Sequence, residues 1–244
     1  MFKAHLRKFL NKILRPLGIA VGKRMPLRKS EVLEVLKAAG LNPQTVIDVG
    51  VHRAGTPEIY ETFPDVKTIL IEPNDEFKED ILKFCKRLKD VELVNAAASD
   101  VAGQGKLQIH RTSCIHTALV DKGHELGYTD EIKEVDVITL DEMCKDKKLS
   151  GPYLIKVDVD GKDLEVLQGS REILKETDCV IVEAPLSCLT ERSLFLQQQG
   201  FFLYALIDLM YVQDVLWQVD LVFLNNKFQD DPRYRPWLDS GFRW

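Results

Sequence analysis

Four short apolar runs, each closing on an acid, limit this chain more than any other feature. They are TVIDV with Asp48, KTILIEP with Glu72, PYLIKVDVD with Asp158 and Asp160, and CVIVEAP with Glu183. Runs rich in Val and Ile without polar alternation are strands covered on both faces, because a strand with one wet face alternates. Segments of helical spacing follow them: PEIYETF, DEFKEDILKFCKRL, KDLEVLQGSREILKE and ERSLFLQQQ. This alternation predicts an α/β fold, a Rossmann-like, doubly wound and mostly parallel sheet. Ligands of such sheets lie beyond the carboxyl ends of the strands, near the point where strand order reverses. A carboxylate there loses hydration without gaining core contacts, so four acidic strand ends are expected to face something polar.

Other segments complete the pattern. VELVNAAA is a further strand, KLQIHRT and KEVDVITL form a β excursion around a loop containing Ser113 to Thr129, and GFFLYALID and DLVFLNN close the chain. Ahead of the first strand, SEVLEVLKAAG reads as a helix capped by Ser30 and stopped by Gly40. Residues 2 to 17, FKAHLRKFLNKILRPL, place Phe2, Leu6, Phe9, Leu10, Ile13, Leu14 and Leu17 at helical spacing opposite Lys8, Lys12 and Arg15. This N-terminal amphipathic helix either docks on the domain's own core or anchors at an anionic lipid surface. Residues 1 to 30 form a basic arm and residues 31 to 244 a single domain.

Charge supports that division. The net charge of −5 resolves into +9 over residues 1 to 30, where there is no acid, and −14 over the remainder. An acidic body argues against nucleic acid as its substrate. The five cysteines are odd in number and lack C-x-x-C spacing, so neither a disulfide framework nor a zinc knuckle is indicated. With no signal-peptide core and no run near the ~18 apolar residues of a spanning helix, a cytoplasmic protein is expected, with peripheral membrane contact through the arm. The tail DDPRYRPWLDSGFRW reads as a strap over the domain and a place for a homodimer contact.

The loop after the first strand decides between cofactors. It lacks G-x-G-x-x-G, and the second glycine, Gly55, follows Gly50 by five residues. Without that phosphate cradle, and with Asp48 at the strand end, a pyrophosphate cofactor is disfavoured. A cofactor with a ribose and a cationic centre fits better, and S-adenosylmethionine has both. Glu72 would accept hydrogen bonds from the ribose hydroxyls, and the Asp48 to Gly55 loop would let the backbone approach the methionine part.

Taken in order, VIDVG…GTPEIYE, LIEPNDEF, NAAASDVAG, DVITLDEM, LIKVDVDGKDLEVLQGS and VIVE resemble the FkbM family of S-adenosylmethionine-dependent methyltransferases, over roughly Thr45 to Glu183. The resemblance implies a class I methyltransferase fold, an O-methyltransferase activity, and a sugar, glycan or other small hydroxylated metabolite as acceptor. It puts Asp48 and Gly50 on the methionine side, Glu72 on the ribose, Ser99 and Asp100 near the adenine, and Lys156, Asp158, Asp160 and Gly161 beside the transferred methyl. The sequence departs from the family in two places: Asp160 and Asp163 stand where Glu is usual, and His52, Arg53 and Ala54 lengthen the first loop by one residue.

Methyl transfer to an alcohol needs a group to take its proton. Asp158 is the first candidate base, and Lys156, two residues earlier on the same strand face, pairs with it or with Glu183. His110 and His116, beside the RTSCIHT loop, are alternative bases or pocket residues. Asp158 with Asp160 offers a different use, as ligands of a divalent cation, which is not favoured because alternate strand residues converge only where the backbone turns. Competing readings of the whole chain are an NAD-linked oxidoreductase or epimerase, and a non-catalytic adaptor that keeps the fold.

Overall fold

The computed structural model describes residues 28–53, 55–111, 115–120 and 131–235. The helix expected over residues 2 to 17, most of the 113–129 loop, and the tail beyond 235 lie outside the described residues. Helix α1 (Lys29–Ala39) leads into β1 (Thr45–Val49), α2 (Pro57–Thr62), β2 (Lys67–Ile71), α3 (Lys78–Cys85) and β3 (Val91–Val94). Then come β4 (Ala97–Ala98), β5 (Gly103–Arg111), β6 (Ile115–Val120), β7 (Glu131–Ile138) and α4 (Leu140–Asp146). The chain continues through β8 (Tyr153–Val157), α5 (Asp163–Gln168), α6 (Arg171–Leu174), β9 (Thr177–Pro185) and α7 (Leu189–Gln198), and the last two strands are β10 (Phe201–Val212) and β11 (Val215–Asn225).

The main sheet has the order β10-β11-β9-β8-β1-β2-β3, parallel from β9 to β3 and antiparallel at β11. Strand order reverses between β1 and β8, since β2 and β3 follow β1 to one side while β9 and β11 lie to the other. Alternation along each parallel strand feeds two cores. Ile47, Ile69, Ile155 and Val180 pack on the side of α4, α5, α6 and α7. Val46, Leu70, Leu154 and Ile181 pack on the side of α1, α2 and α3. The double winding expected from the apolar runs is present.

Several local expectations are corrected. Ser30 is not the cap of the first helix: α1 begins one residue earlier, at Lys29, and no side chain caps it locally. A distant carboxylate serves instead, because Asp208 on β10 accepts the Lys29 N–H at 3.4 Å while Lys29 Nζ pairs with Asp220 at 2.7 Å. Gly40 does end the helix, at φ +111. The VELVNAAA run is two strands in different sheets, separated where the Asn95 side-chain amide donates to the Glu72 carbonyl at 2.9 Å.

The β excursion is a second sheet of order β4-β7-β5-β6, with β6 lying inside what reads in sequence as a loop. The single helix expected over residues 162 to 176 is α5 and α6, broken at Gly169, where any Cβ would overlap the Ser99 carbonyl oxygen. The final hairpin extends well past both expected runs. It turns at Gln213 and Asp214, both with positive φ, the backbone form that matches the twist of a two-residue hairpin. Among the described residues no helix is long and apolar enough to cross a membrane.

The turn after β8 is fixed from below by a buried pair. Arg192 on α7 donates to Asp163 Oδ2 at 2.5 Å, and Asp163 Oδ1 accepts the Val159 N–H at 3.2 Å. Removing one partner leaves a buried charge uncompensated, which costs more than the pair contributes. Arg192→Met is therefore expected to lower unfolding stability by about 3 kcal/mol in urea titration, and Asp163→Asn added to it to recover part of the loss. A loss below ~1 kcal/mol would show that the pair does not hold this turn.

Candidate functional site

A cavity of about 400 Å³ opens at the carboxyl ends of the parallel strands. Strand order lays its floor out in a row: Trp217 and Gln218 from β11, Glu183 from β9, Asp158 just past β8, Gly50 just past β1, and Glu72 just past β2. Ala96, Ala97 and Ala98 close the far end, and Leu107, Thr117 and Leu119 of the second sheet form the opposite wall. The second sheet thus covers the strand ends of the first.

Glu72 is 3% exposed, and both its carboxylate oxygens are held by backbone. The His52 N–H donates to Oε2 at 2.7 Å and the Asn74 N–H to Oε1 at 2.9 Å. Burial raises its pKa to about 7, with Asp160 and Asp48 adding to the rise and the two N–H donors opposing it. A carboxylate so oriented, with lone pairs left for a ligand, suits a pair of adjacent hydroxyls.

Asp48 is fully buried one strand away. Its Oδ2 accepts the Thr56 N–H at 3.0 Å and a short hydrogen bond from the Tyr60 hydroxyl. Burial and the Asp48 charge push the Tyr60 pKa far up, so the phenol stays a donor. Two glycines permit this geometry. A Cβ at Gly55, at φ +60, would overlap the Tyr60 hydroxyl, and one at Gly50, at φ +83, would overlap the Asp158 carbonyl oxygen.

Lys156 bridges β1 and β8. Its Nζ is 2.7 Å from Asp158 Oδ2 and 3.9 Å from Asp48 Oδ1. Burial would lower its pKa, but Asp48 and Asp158 overcome that and raise it, so the ammonium stays charged. Asp158 responds in the opposite sense: burial would raise its pKa, yet Lys156 and a hydrogen bond with Glu183 hold it below the ordinary carboxylate range. Glu183, bonded also to the Gln218 amide, is pushed up to about 8 by burial and then by Asp158, Asp163 and Asp220. An ionised and a protonated carboxyl therefore sit side by side at neutral pH.

Of the residues singled out in the sequence, Gly50, Glu72, Asp158, Asp160 and Glu183 line the cavity, and Asp48, Gly55 and Lys156 stand behind them as supports. Asp160 takes φ +49 where the backbone turns, so it does not continue the strand. Ser99 and Asp100 do not line the cavity; the three alanines before them do, and the Ser99 hydroxyl donates to Asp100 Oδ1 at 3.1 Å. His110 is also absent from the lining and pairs in backbone register with His116, whose side chain lies outside the described residues. Among the described residues no group of three or more His, Cys, Asp and Glu side chains is placed to hold a metal ion. Sequence reasoning missed Met210, Trp217 and Gln218, because the expected strands stopped short of the hairpin tip; the apolar run around Val215 was the available signal.

A family model described as "Methyltransferase FkbM domain" matches residues 48–216. Among solved structures, the chain is similar to precorrin-6y C5,15-methyltransferase from Geobacter metallireducens GS-15, with 14% identity, 85% of this chain and 95% of that one covered, and a TM-score of 0.44. It is also similar to an rRNA methylase from Streptococcus thermophilus, with 10% identity, 84% and 99% coverage and a TM-score of 0.46. A ribosomal protein L11 methylase from Lactobacillus delbrueckii subsp. bulgaricus gives 12% identity, 85% and 82% coverage and a TM-score of 0.42. At such identities and scores these likenesses say nothing about what this chain acts on. A search of curated proteins finds no match.

The paired carboxyls make stability depend on pH. Glu183 has a folded pKa of about 8 against an ordinary 4.5, so the native state holds a proton that the unfolded chain has released between those values. Unfolding stability then falls as pH rises through that window. Tm measured from about pH 5 to about pH 8 is expected to fall in the native protein and to fall less in Glu183→Gln, which keeps the neutral form. Equal slopes for the two proteins would mean that Glu183 is not buried beside an ionised Asp158.

Proposed function

The chain belongs to the FkbM methyltransferase family, and from that premise we propose that it methylates a hydroxyl oxygen of a sugar, glycan or other small metabolite. As a class I S-adenosylmethionine-dependent methyltransferase, it takes from its cofactor a methyl group carried on a sulfonium centre. The cavity's chemistry fits that cofactor. Glu72, with both oxygens fixed by backbone N–H groups, would hold the ribose hydroxyls, and the Ile71 and Ala96 to Ala98 end would receive the adenine. Carboxylates at the other strand ends complement a cation.

The observation that carries the oxygen acceptor is the Asp158 and Glu183 pair. A neutral amine is nucleophilic without help, whereas a hydroxyl must lose its proton as the new bond forms. Asp158 is a weak base, and a weak base suffices when the alkylated oxygen makes its own proton strongly acidic. Lys156 keeps Asp158 ionised, and Glu183, held between Asp158 and the Gln218 amide, can accept a further hydrogen bond from the acceptor molecule and fix its direction. Collinearity of acceptor and methyl then comes from position, with water excluded by the second sheet.

Two outcomes are expected. Calorimetry with S-adenosylhomocysteine should give micromolar binding that Glu72→Ala abolishes, and an affinity that rises with pH through about 7 as Glu72 ionises. With an acceptor in hand, Asp158→Asn should lower kcat about a hundredfold with little change in cofactor affinity. A product carrying N-methyl or S-methyl rather than methoxy carbon by NMR would overturn the oxygen assignment.

A further inference from the structure

The cavity has a half that the cofactor assignment leaves unexplained. Its floor runs over β11, β9, β8, β1 and β2 in that order, so Glu72 stands about three strand spacings, ~14 Å, from Glu183 and one more from Gln218. A cofactor whose ribose is held at Glu72 and whose methyl lies near Asp158 leaves the β9 and β11 end for the acceptor. That end is made by the C-terminal hairpin, and Trp217 and Gln218 fall just beyond the span matched by the family model.

Three features define what this end would accept. Trp217 lines the cavity yet is 50% exposed, and Met210, at 46%, lines it from across the hairpin, opposite Gln218. An indole left half bare at a cavity mouth is a flat apolar platform. The same cavity is lined by planar hydrogen-bonding groups, the Gln218 amide and the Glu183 carboxyl, already joined to each other and so held in place. Finally, Asp158 at this end is ionised, Lys156 is engaged by it, and Lys162, at the rim, donates to Glu165 at 2.9 Å. An added phosphate or carboxylate would meet the charge of Asp158, with these two ammonium groups already engaged.

We propose that the Trp217, Met210 and Gln218 end of the cavity is the acceptor site and that it takes a neutral pyranoside, its C–H face on the Trp217 ring and its hydroxyl edge on Gln218 and Glu183. A pyranose has this amphipathic division, one face of C–H bonds and a periphery of hydroxyls, which matches a bare ring bordered by planar polar groups. A phenolic acceptor would use the ring and leave the polar border unmatched. A nucleotide sugar or sugar phosphate would bring anionic charge beside the ionised Asp158.

This inference rests on the hydroxyl-directed reading above, and its test reads binding and turnover separately. The full chain, saturated with S-adenosylhomocysteine, is mixed with methyl glucoside, methyl galactoside and methyl mannoside, with glucose phosphate, and with phenol, and saturation-transfer NMR is recorded. The expected result is saturation of ring C–H protons in at least one neutral glycoside, absent with glucose phosphate, lost in Trp217→Ala and partly restored in Trp217→Phe. Calorimetric affinity for S-adenosylhomocysteine should be the same in all three proteins, which shows that the variants are folded. No saturation of any neutral glycoside, equal saturation of glucose phosphate, stronger saturation of phenol, or a signal unchanged in Trp217→Ala would each overturn the proposal. With S-adenosylmethionine in place of its product, a glycoside that binds through Trp217 but gains no methoxy group supports the site and overturns the proposed reaction. A glycoside methylated equally well by Trp217→Ala does the reverse.

Discussion

The arrangement depends on one buried cation. Lys156 sits in the middle of the sheet at 4% exposure, a place an ammonium tolerates only when its charge is matched. Asp48 on β1 and Asp158 after β8 match it, so the cation spans the two strands between which strand order reverses. Consequences follow outward from there. Asp48 takes the Thr56 N–H and the Tyr60 hydroxyl, which fixes the start of α2 and the end of the first loop. The same loop turns the His52 N–H onto Glu72. A charge balance at the reversal point thereby sets the direction of a carboxylate on the next strand.

The acids at the strand ends, alike in sequence, differ in what they can do because each has a different neighbour. Asp48 is consumed by loop and tyrosine, Glu72 is oriented by two backbone donors, Asp158 is ionised by Lys156, and Glu183 is kept protonated by burial and by Asp158. One sheet edge can therefore present an orienting carboxylate, a proton acceptor and a proton donor within a few strand spacings.

What was legible in the sequence was whatever depends on period and strand ends. The runs TVIDV and PYLIKVDVD announce buried parallel strands, and their acids announce the site, because burial on both faces leaves only Val, Ile and Leu until the strand emerges. What was hidden depends on contacts between distant residues. Nothing near Ser30 tells that Asp208 will receive the Lys29 N–H, and nothing in LEVLQGSREIL tells that Gly169 must pass the Ser99 carbonyl. The hairpin at Gln213 and Asp214 carries no Asn-Gly signal, so Trp217 stayed outside the expected site. On the second sheet the cavity wall is formed by Leu107, Thr117 and Leu119, which periodicity alone does not distinguish from His110.

The pairing of β1 has a consequence for how the chain acquires this structure. One neighbour, β2, follows it closely, but the other, β8, pairs Thr45 with Tyr153, and the whole second sheet lies between them in the chain. During synthesis β1 leaves the ribosome long before β8, with one edge open and Asp48 destined for burial before Lys156 exists. Closing so long a loop costs entropy ahead of any contact that repays it, so the central pairing is expected to form late. Because Asp48 is matched only by Lys156 and in turn fixes the loop that orients Glu72, both ends of the cavity wait for the second half of the chain to be translated.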